Sequence, residues 1–317
     1  MTAPHNVVLR DEATGSEAAI LASLGMNCYK LLMQVGGKSV DVLWSHPDFH
    51  TGTIRASSSG IPLLFPFPGR IAAGKFSWNG QEYQLPAENK GNAIHGFCHT
   101  RPWEVVEQST SHVKARFQAF KSDPSLRQLW PADFQLEATY RLTSSGLEMD
   151  YVATNVDSQP LPCGLGTHPY FRVPQGGASA SDCVVKIPAA KKWELIDMIP
   201  SGRVIDLENA ATLAAGQSFG AMQYDDVLTD LAMPGGEFES EIFDPGSKIS
   251  TKIRFGSPFR ECVVYTPPHR EAICIEPYSC VPGAIHLATS QNNSGLIILP
   301  PGESFEARVV IEVASVP

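Results

Sequence analysis

Short runs in which apolar and polar residues alternate recur along almost the whole chain, and a period of two sets successive side chains on opposite faces of a strand. In Lys75-Phe76-Ser77-Trp78-Asn79-Gly80-Gln81-Glu82-Tyr83-Gln84-Leu85 the alternation breaks at Asn-Gly, whose tolerance of positive φ suits a two-residue hairpin turn. The same pattern predicts strands over residues 113–119, 135–142, 147–155, 250–254, 262–265, 272–276, 295–299 and 305–313. Helical periodicity is nearly absent, and residues 211–215 are the best short helix candidate. The 25 prolines and 26 glycines are spread over the whole length, with neither a low-complexity linker nor a repeat of fixed period. The expectation is an all-β protein in which residues 1–317 form a single domain, a large antiparallel β-sandwich.

Composition narrows the partners. A net charge of −9, with no Lys/Arg cluster long enough to track a phosphate backbone, argues against nucleic acid. Lys191-Lys192 is the only adjacent basic pair and reads as a solvated turn. The seven cysteines are an odd set without Cys-x-x-Cys spacing, in a chain too large to need staples, so they read as reduced thiols. No apolar run approaches bilayer length and the N-terminus lacks a leader pattern; a soluble cytoplasmic protein without membrane partners is expected.

Two residues stand out chemically. His168 lies in Gly166-Thr167-His168-Pro169-Tyr170-Phe171 and Glu276 in Ile275-Glu276-Pro277-Tyr278, and an imidazole with a carboxylate can act as general acid and base if the fold joins them. Each alone has an ordinary explanation, with its following proline marking a strand end. In Glu271-Ala272-Ile273-Cys274-Ile275-Glu276 the period of two puts Glu276 on the face of Ala272 and Cys274, opposite the isoleucines, with space beside it. Arg70 follows a stiff aromatic stretch, Phe65-Pro66-Phe67-Pro68-Gly69, where a guanidinium fork suits hydroxyls or a surface turn equally. His95 in Asn92-Ala93-Ile94-His95-Gly96-Phe97 reads as a strand-end or core histidine. Asp225-Asp226 ordinarily marks a solvated turn, and Trp103 and Trp130 are sugar platforms or, more commonly, core. His46-x3-His50 and His95-x3-His99 have the spacing of a helical zinc pair, but Pro47 and Gly96 oppose a helix there, so no metal site is expected. Nucleophile-elbow, phosphate-loop and dinucleotide motifs are missing, which leaves cofactor-independent chemistry or plain binding.

Taken in order, several blocks resemble the aldose 1-epimerase (galactose mutarotase) family from about residue 60 to residue 313. They are Gly69-Arg70-Ile71-Ala72-Ala73-Gly74-Lys75-Phe76, Gly80-x2-Tyr83-x-Leu85, Asn92-Ala93-Ile94-His95-Gly96-Phe97 and Pro102-Trp103-Glu104-Val105. Thr167-His168-Pro169-Tyr170-Phe171, Tyr224-Asp225-Asp226-Val227, Ile275-Glu276-Pro277 and Leu299-Pro300-Pro301-Gly302-Glu303 complete the series. The resemblance implies a galactose-mutarotase-type supersandwich with a sugar cleft on a concave sheet face and no metal or organic cofactor. It implies Glu276 as base, His168 as acid, and Arg70, His95 and Asp225 on sugar hydroxyls or the ring oxygen. Asp225 is preferred to Asp226 for its spacing to the hydrophobic residues that follow. For such chemistry Glu276 is expected ionised and His168 protonated through a neighbouring carboxylate. The chain departs from the family pattern at Gly69, where Asn is frequent, at Val263-Val264-Tyr265-Thr266, which lacks a common glutamine, and in having Pro169 where Ser is usual.

The implied activity is interconversion of the α and β anomers of a hexose. Alternatives are a hexose-6-phosphate 1-epimerase, for which Arg55, Arg101, Arg172 and Arg270 are candidate phosphate ligands, a glycoside hydrolase using Glu276 with Asp225, and a non-catalytic sugar-binding protein. Monomer and homodimer are both compatible with the chain.

Overall fold

In the computed structural model, which describes residues 5–87, 90–287 and 293–316, the chain is built of antiparallel sheets with only short helical turns. Nine strands form the largest sheet: in spatial order Glu104–Gln108, His112–Gln118, Phe134–Leu142, Gly146–Asn155, Ser304–Ser315, Ile249–Gly256, Glu237–Asp244, Val184–Lys186 and Gln217–Ser218. An eight-stranded sheet runs Ile199–Asp206, Ala189–Ile196, Asp225–Leu231, Glu261–Tyr265, Ala272–Tyr278, Gly166–Thr167 and Leu63–Leu64, with Tyr170–Arg172 also paired to Ala272–Tyr278.

Alternation decides which face is covered. Leu136, Ala138 and Tyr140, Met149 and Tyr151, Ile253, and Val309 and Ile311 point from the larger sheet into one apolar cluster. Leu228, Cys262, Val264, Ile273 and Ile275 enter it from the smaller sheet, so the two pack face to face. Burying Ile273 and Ile275 completely contributes about 2 to 3 kcal/mol each. Residues at the intervening positions of the smaller sheet, Cys274 and Glu276 among them, are thereby turned to its other face. This is the large antiparallel β-sandwich expected from the sequence.

Each predicted strand is present with ends shifted by a few residues, and the short helix spans Ala210–Ala215. The Asn79-Gly80 hairpin joins Lys75–Trp78 to Gln81–Gln84, and both turn residues have positive φ, 48° and 79°. The pattern missed a four-stranded sheet near the N-terminus, Asn6–Asp11, Ser16–Leu21, Asn27–Val35 and Lys38–Asp41, and the hairpin Ala189–Ile196 with Ile199–Asp206. Lys191-Lys192 is not a turn: it lies within that hairpin, where Lys192 pairs with Asp226 at 2.8 Å and Lys191 with Asp230 at 3.7 Å. Trp103 and Trp130 are core residues, donating their indole N–H groups to the Cys98 and Pro162 carbonyls. All seven cysteines are buried and free.

Candidate active site

The outer face of the eight-stranded sheet carries the site, and strand register assembles it. Tyr170 pairs with Cys274, Cys274 with Tyr265 and Tyr265 with Asp225, so these side chains form one row across four strands. The next row holds Glu276, Val263 and Val227. Gly166 opposite Tyr278 and Tyr170 opposite Cys274 share a single register, which sets His168, midway between them, opposite Glu276. The His168 amide points to the other side of its strand, where it donates to the Pro62 carbonyl at 3.0 Å. The ladder between the two segments is interrupted by Pro169 and Pro277, one residue beyond each partner, which lack the N–H donors it would need.

His168 Nε2 lies 3.3 Å from Glu276 Oε1, and Tyr278, two residues on and therefore on the same face, donates its hydroxyl to Glu276 Oε2 at 2.8 Å. The His168 ring stacks on Tyr170, with centroids 4.8 Å apart, and meets the edge of His95 at 5.5 Å. His95 and Arg70 arrive together on a small ribbon, Arg70–Ile71 with Ala93–Ile94, closed by the His95 amide on the Gly69 carbonyl at 2.8 Å. At Gly96, φ is +68° and a Cβ would fall 2.2 Å from the Phe65 carbonyl oxygen, so only glycine lets the chain turn so closely behind His95.

These residues line a cleft of about 270 Å³, closed by Tyr265, Val263, Pro282 and, from the tip of the 189–206 hairpin, Leu195 and Met198. All five residues singled out from the sequence, His168, Glu276, Arg70, His95 and Asp225, line it together. Asp225 begins a strand rather than sitting in a turn, and it faces the cleft, while Asp226 is held by Lys192. Leu195, Met198 and Asp225 also border a wider groove of about 840 Å³. Sequence reasoning missed Tyr278, Tyr170 and Tyr265 as site residues; the two-residue spacing from Glu276 was the available signal for Tyr278. At the family's Asn position, Gly69 has φ +66° and Pro282 occupies the space its side chain would need. Val263, level with Glu276, offers a methyl surface in the tract that lacks the common glutamine.

Of the four unplaced arginines, three are engaged elsewhere. Arg101 pairs with Asp123, Arg172 with Asp41, and Arg270 donates to the Met222 and Phe219 carbonyls over the Phe219 ring. Arg55 lines the cleft.

Burial acts on the charge of the central pair against the protonation expected from sequence. Desolvation pushes the Glu276 carboxyl well above the usual carboxylate range, against opposing pulls from the Tyr278 hydrogen bond and Arg70. The same desolvation, with His99, Arg70 and Arg55 adding positive charge nearby, brings His168 down to about 3. Desolvation thus drives both partners toward their uncharged forms. His95 is held well below its ordinary value by burial and by His168, and His99, 6.1 Å away, is brought down to about 4 mainly by burial. Among the described residues, His168, Cys274 and Glu276 are the group whose ligand-type atoms lie mutually close, within 4.8 Å. Burial pushes the Cys274 thiol well up, which opposes the thiolate a metal would require.

Fold and cleft together define an antiparallel supersandwich of the galactose mutarotase type with a buried carboxyl–imidazole pair on its outer face. Residues 13–312 match the family model for aldose 1-epimerase, and the chain belongs to that family. It is 26% identical over 246 residues to the uncharacterized protein YihR of Escherichia coli, covering 75% of this chain and 73% of that protein. It is 30% identical over 145 residues to the galactose mutarotase of Mus musculus, covering 45% of this chain and 41% of that enzyme. The fold superimposes on a galactose mutarotase-like protein from Clostridium acetobutylicum with a TM-score of 0.86 over 100% of both chains at 23% identity.

Proposed function

We propose that the protein is an aldose 1-epimerase that interconverts the anomers of a hexose in the 270 Å³ cleft. The observation that carries the reading is the 3.3 Å approach of His168 Nε2 to Glu276 Oε1. The cleft is near the lower end of small-molecule sites, about 300 Å³, which suits a single sugar ring. The reading treats the chain as one domain, since a common apolar cluster joins both large sheets.

Anomer exchange needs one proton taken from the C1 hydroxyl and one given to the ring oxygen, so that the C1–O5 bond breaks and an open-chain aldehyde forms. Rotation about C1–C2 and the reverse proton transfers close the ring on the other face. The pair supplies this with its single proton. When sugar hydroxyls and Arg70 favour the ionised carboxylate, the proton resides on His168, Glu276 is the base and His168 the acid. The other tautomer exchanges those roles, and reclosure exchanges them again. Arg70 is the cation suited to negative charge developing on the ring oxygen, while neutral His95 donates or accepts from hydroxyls without competing for the proton. Asp225 at the rim accepts from hydroxyls distant from C1.

Polarimetry of freshly dissolved α-D-glucose and α-D-galactose tests the proposal. Acceleration by the wild type and its loss in Glu276→Gln is expected, with ligand binding retained. Binding without acceleration by the wild type would leave the non-catalytic sugar-binding reading in its place.

A further inference from the structure

Charge bookkeeping over the arginines singles out one residue. Every arginine outside the cleft is neutralised or covered: nine make ion pairs with carboxylates, Arg127 lies over Phe120, and Arg270 caps two carbonyls. Arg55 and Arg70 alone lack a carboxylate or ring partner among the described residues, and both line the same cleft. Arg70 has work at the ring oxygen in the proposed chemistry. Arg55 has none. Its Nε–H donates to Ser57 Oγ at 3.1 Å, which leaves both terminal nitrogens without an acceptor among the described residues.

The position of Arg55 is built. It begins the turn Ala56–Ser58, and the Ser57 carbonyl accepts the Tyr170 hydroxyl at 2.9 Å, so the turn is fastened to the ring on which His168 stacks. Its charge is felt in the cleft, where it helps depress His95, His99 and His168. Glu276 is engaged by His168 and Tyr278 on its two oxygens, so Asp225 is the one carboxylate lining the cleft left to set against two guanidinium groups. A neutral hexose leaves that excess uncompensated.

We propose that the substrate is an aldose bearing an anionic substituent away from C1, recognised by the terminal nitrogens of Arg55. The inference rests on the epimerase reading of the cleft and names the substrate class. Phosphate and carboxylate share the required chemistry, a pair of oxygens that a guanidinium fork can engage.

The test compares anomer exchange of glucose, glucose 6-phosphate and glucuronate by exchange NMR, with wild type, Arg55→Ala and Arg55→Lys. It adds calorimetric binding of 1,5-anhydroglucitol, its 6-phosphate and inorganic phosphate, none of which has an anomeric hydroxyl to react. In the wild type kcat/KM for one of the charged sugars should exceed that for glucose by about tenfold or more. Arg55→Ala should cut that ratio about tenfold, Arg55→Lys less, and whichever charged sugar is favoured identifies the substituent. A ratio near one, a ratio that Arg55→Ala leaves unchanged, or inorganic phosphate binding as tightly as anhydroglucitol 6-phosphate would overturn the inference. If no sugar is turned over but anhydroglucitol 6-phosphate binds about tenfold tighter than anhydroglucitol through Arg55, the anion site stands and the epimerase reading fails.

Discussion

Tyr278 holds Glu276 from two residues away on the same strand face, its hydroxyl 2.8 Å from Oε2, while His168 approaches the other oxygen. The hydrogen bond favours the ionised carboxylate against a desolvation that opposes it. Tyr278→Phe should therefore raise the Glu276 pKa further. In the proposed chemistry the pair works with one proton, so the rate should be bell-shaped in pH. The acid limb marks uptake of a second proton by a His168 already brought down to about 3, and the alkaline limb marks loss of the proton from the raised Glu276. Tyr278→Phe should move the alkaline limb up by about one pH unit and lower the plateau about tenfold. A variant whose pH–rate profile overlays the wild type would remove Tyr278 from this account.

At the rim, Asp225 and Asp226 are adjacent in sequence and separate in role. Asp225→Asn should raise KM about tenfold through loss of a charged acceptor. Asp226 already spends its carboxylate on Lys192 at 2.8 Å, and Asp226→Asn should leave KM within about twofold. Equal effects in steady-state kinetics would contradict the placement of Asp225 toward the sugar.

Gly69 and Pro282 compete for one volume. A Cβ on Gly69 would stand 2.5 Å from Pro282 Cβ and Cγ, so Gly69→Asn should destabilise by about 1 to 3 kcal/mol even though Asn tolerates positive φ. Pro282→Gly removes the obstructing atoms, and the double variant should recover at least about 1 kcal/mol relative to the sum of the singles. Additive urea-unfolding energies would show that the family's asparagine is disfavoured here for another reason.

Three neutral imidazoles, His95, His99 and His168, are buried around the cleft. Their folded pKa values lie below the ordinary 6.5, so the stability they contribute is fully present above pH 6.5 and is lost as pH falls toward the folded values, about 4 for His99 and about 3 for His168. His99→Gln abolishes one of these titrations without touching the carboxyl–imidazole pair. Between pH 6.5 and 4.5 the wild type should lose about 2 to 3 kcal/mol that the variant keeps, read from urea midpoints at the two pH values. Parallel pH dependences would mean that His99 is protonated in the folded protein.

The sandwich was legible because most strands of the large sheet bury one face only and so alternate visibly, as Phe134–Leu142 does. Ser16–Leu21 was not, because nearly all its residues are buried and the period disappears. The five cleft residues were found through motif resemblance, and alternation correctly put Glu276 opposite Ile273 and Ile275. Three things were not readable. Ordinary aromatic residues such as Tyr170 and Tyr265 join the site only through cross-strand register. The one free arginine among four candidates is identified only once its rivals' partners are known. The desolvation that opposes charge on the pair is the third, because sequence shows that an imidazole and a carboxylate can meet, not how little water accompanies them.

His168 faces Glu276 because two antiparallel segments share one register on either side of a gap with prolines at its edge. A slip of one residue would send Glu276 into the apolar interior and bring an isoleucine into the cleft. The pair is thus a gauge of strand alignment as well as a chemical device. On the proposed chemistry, inserting or deleting a single residue between Gly166 and Tyr170 would silence the protein even where the sandwich survives, so drift in the length of this short segment would be closed to a lineage that retains that chemistry.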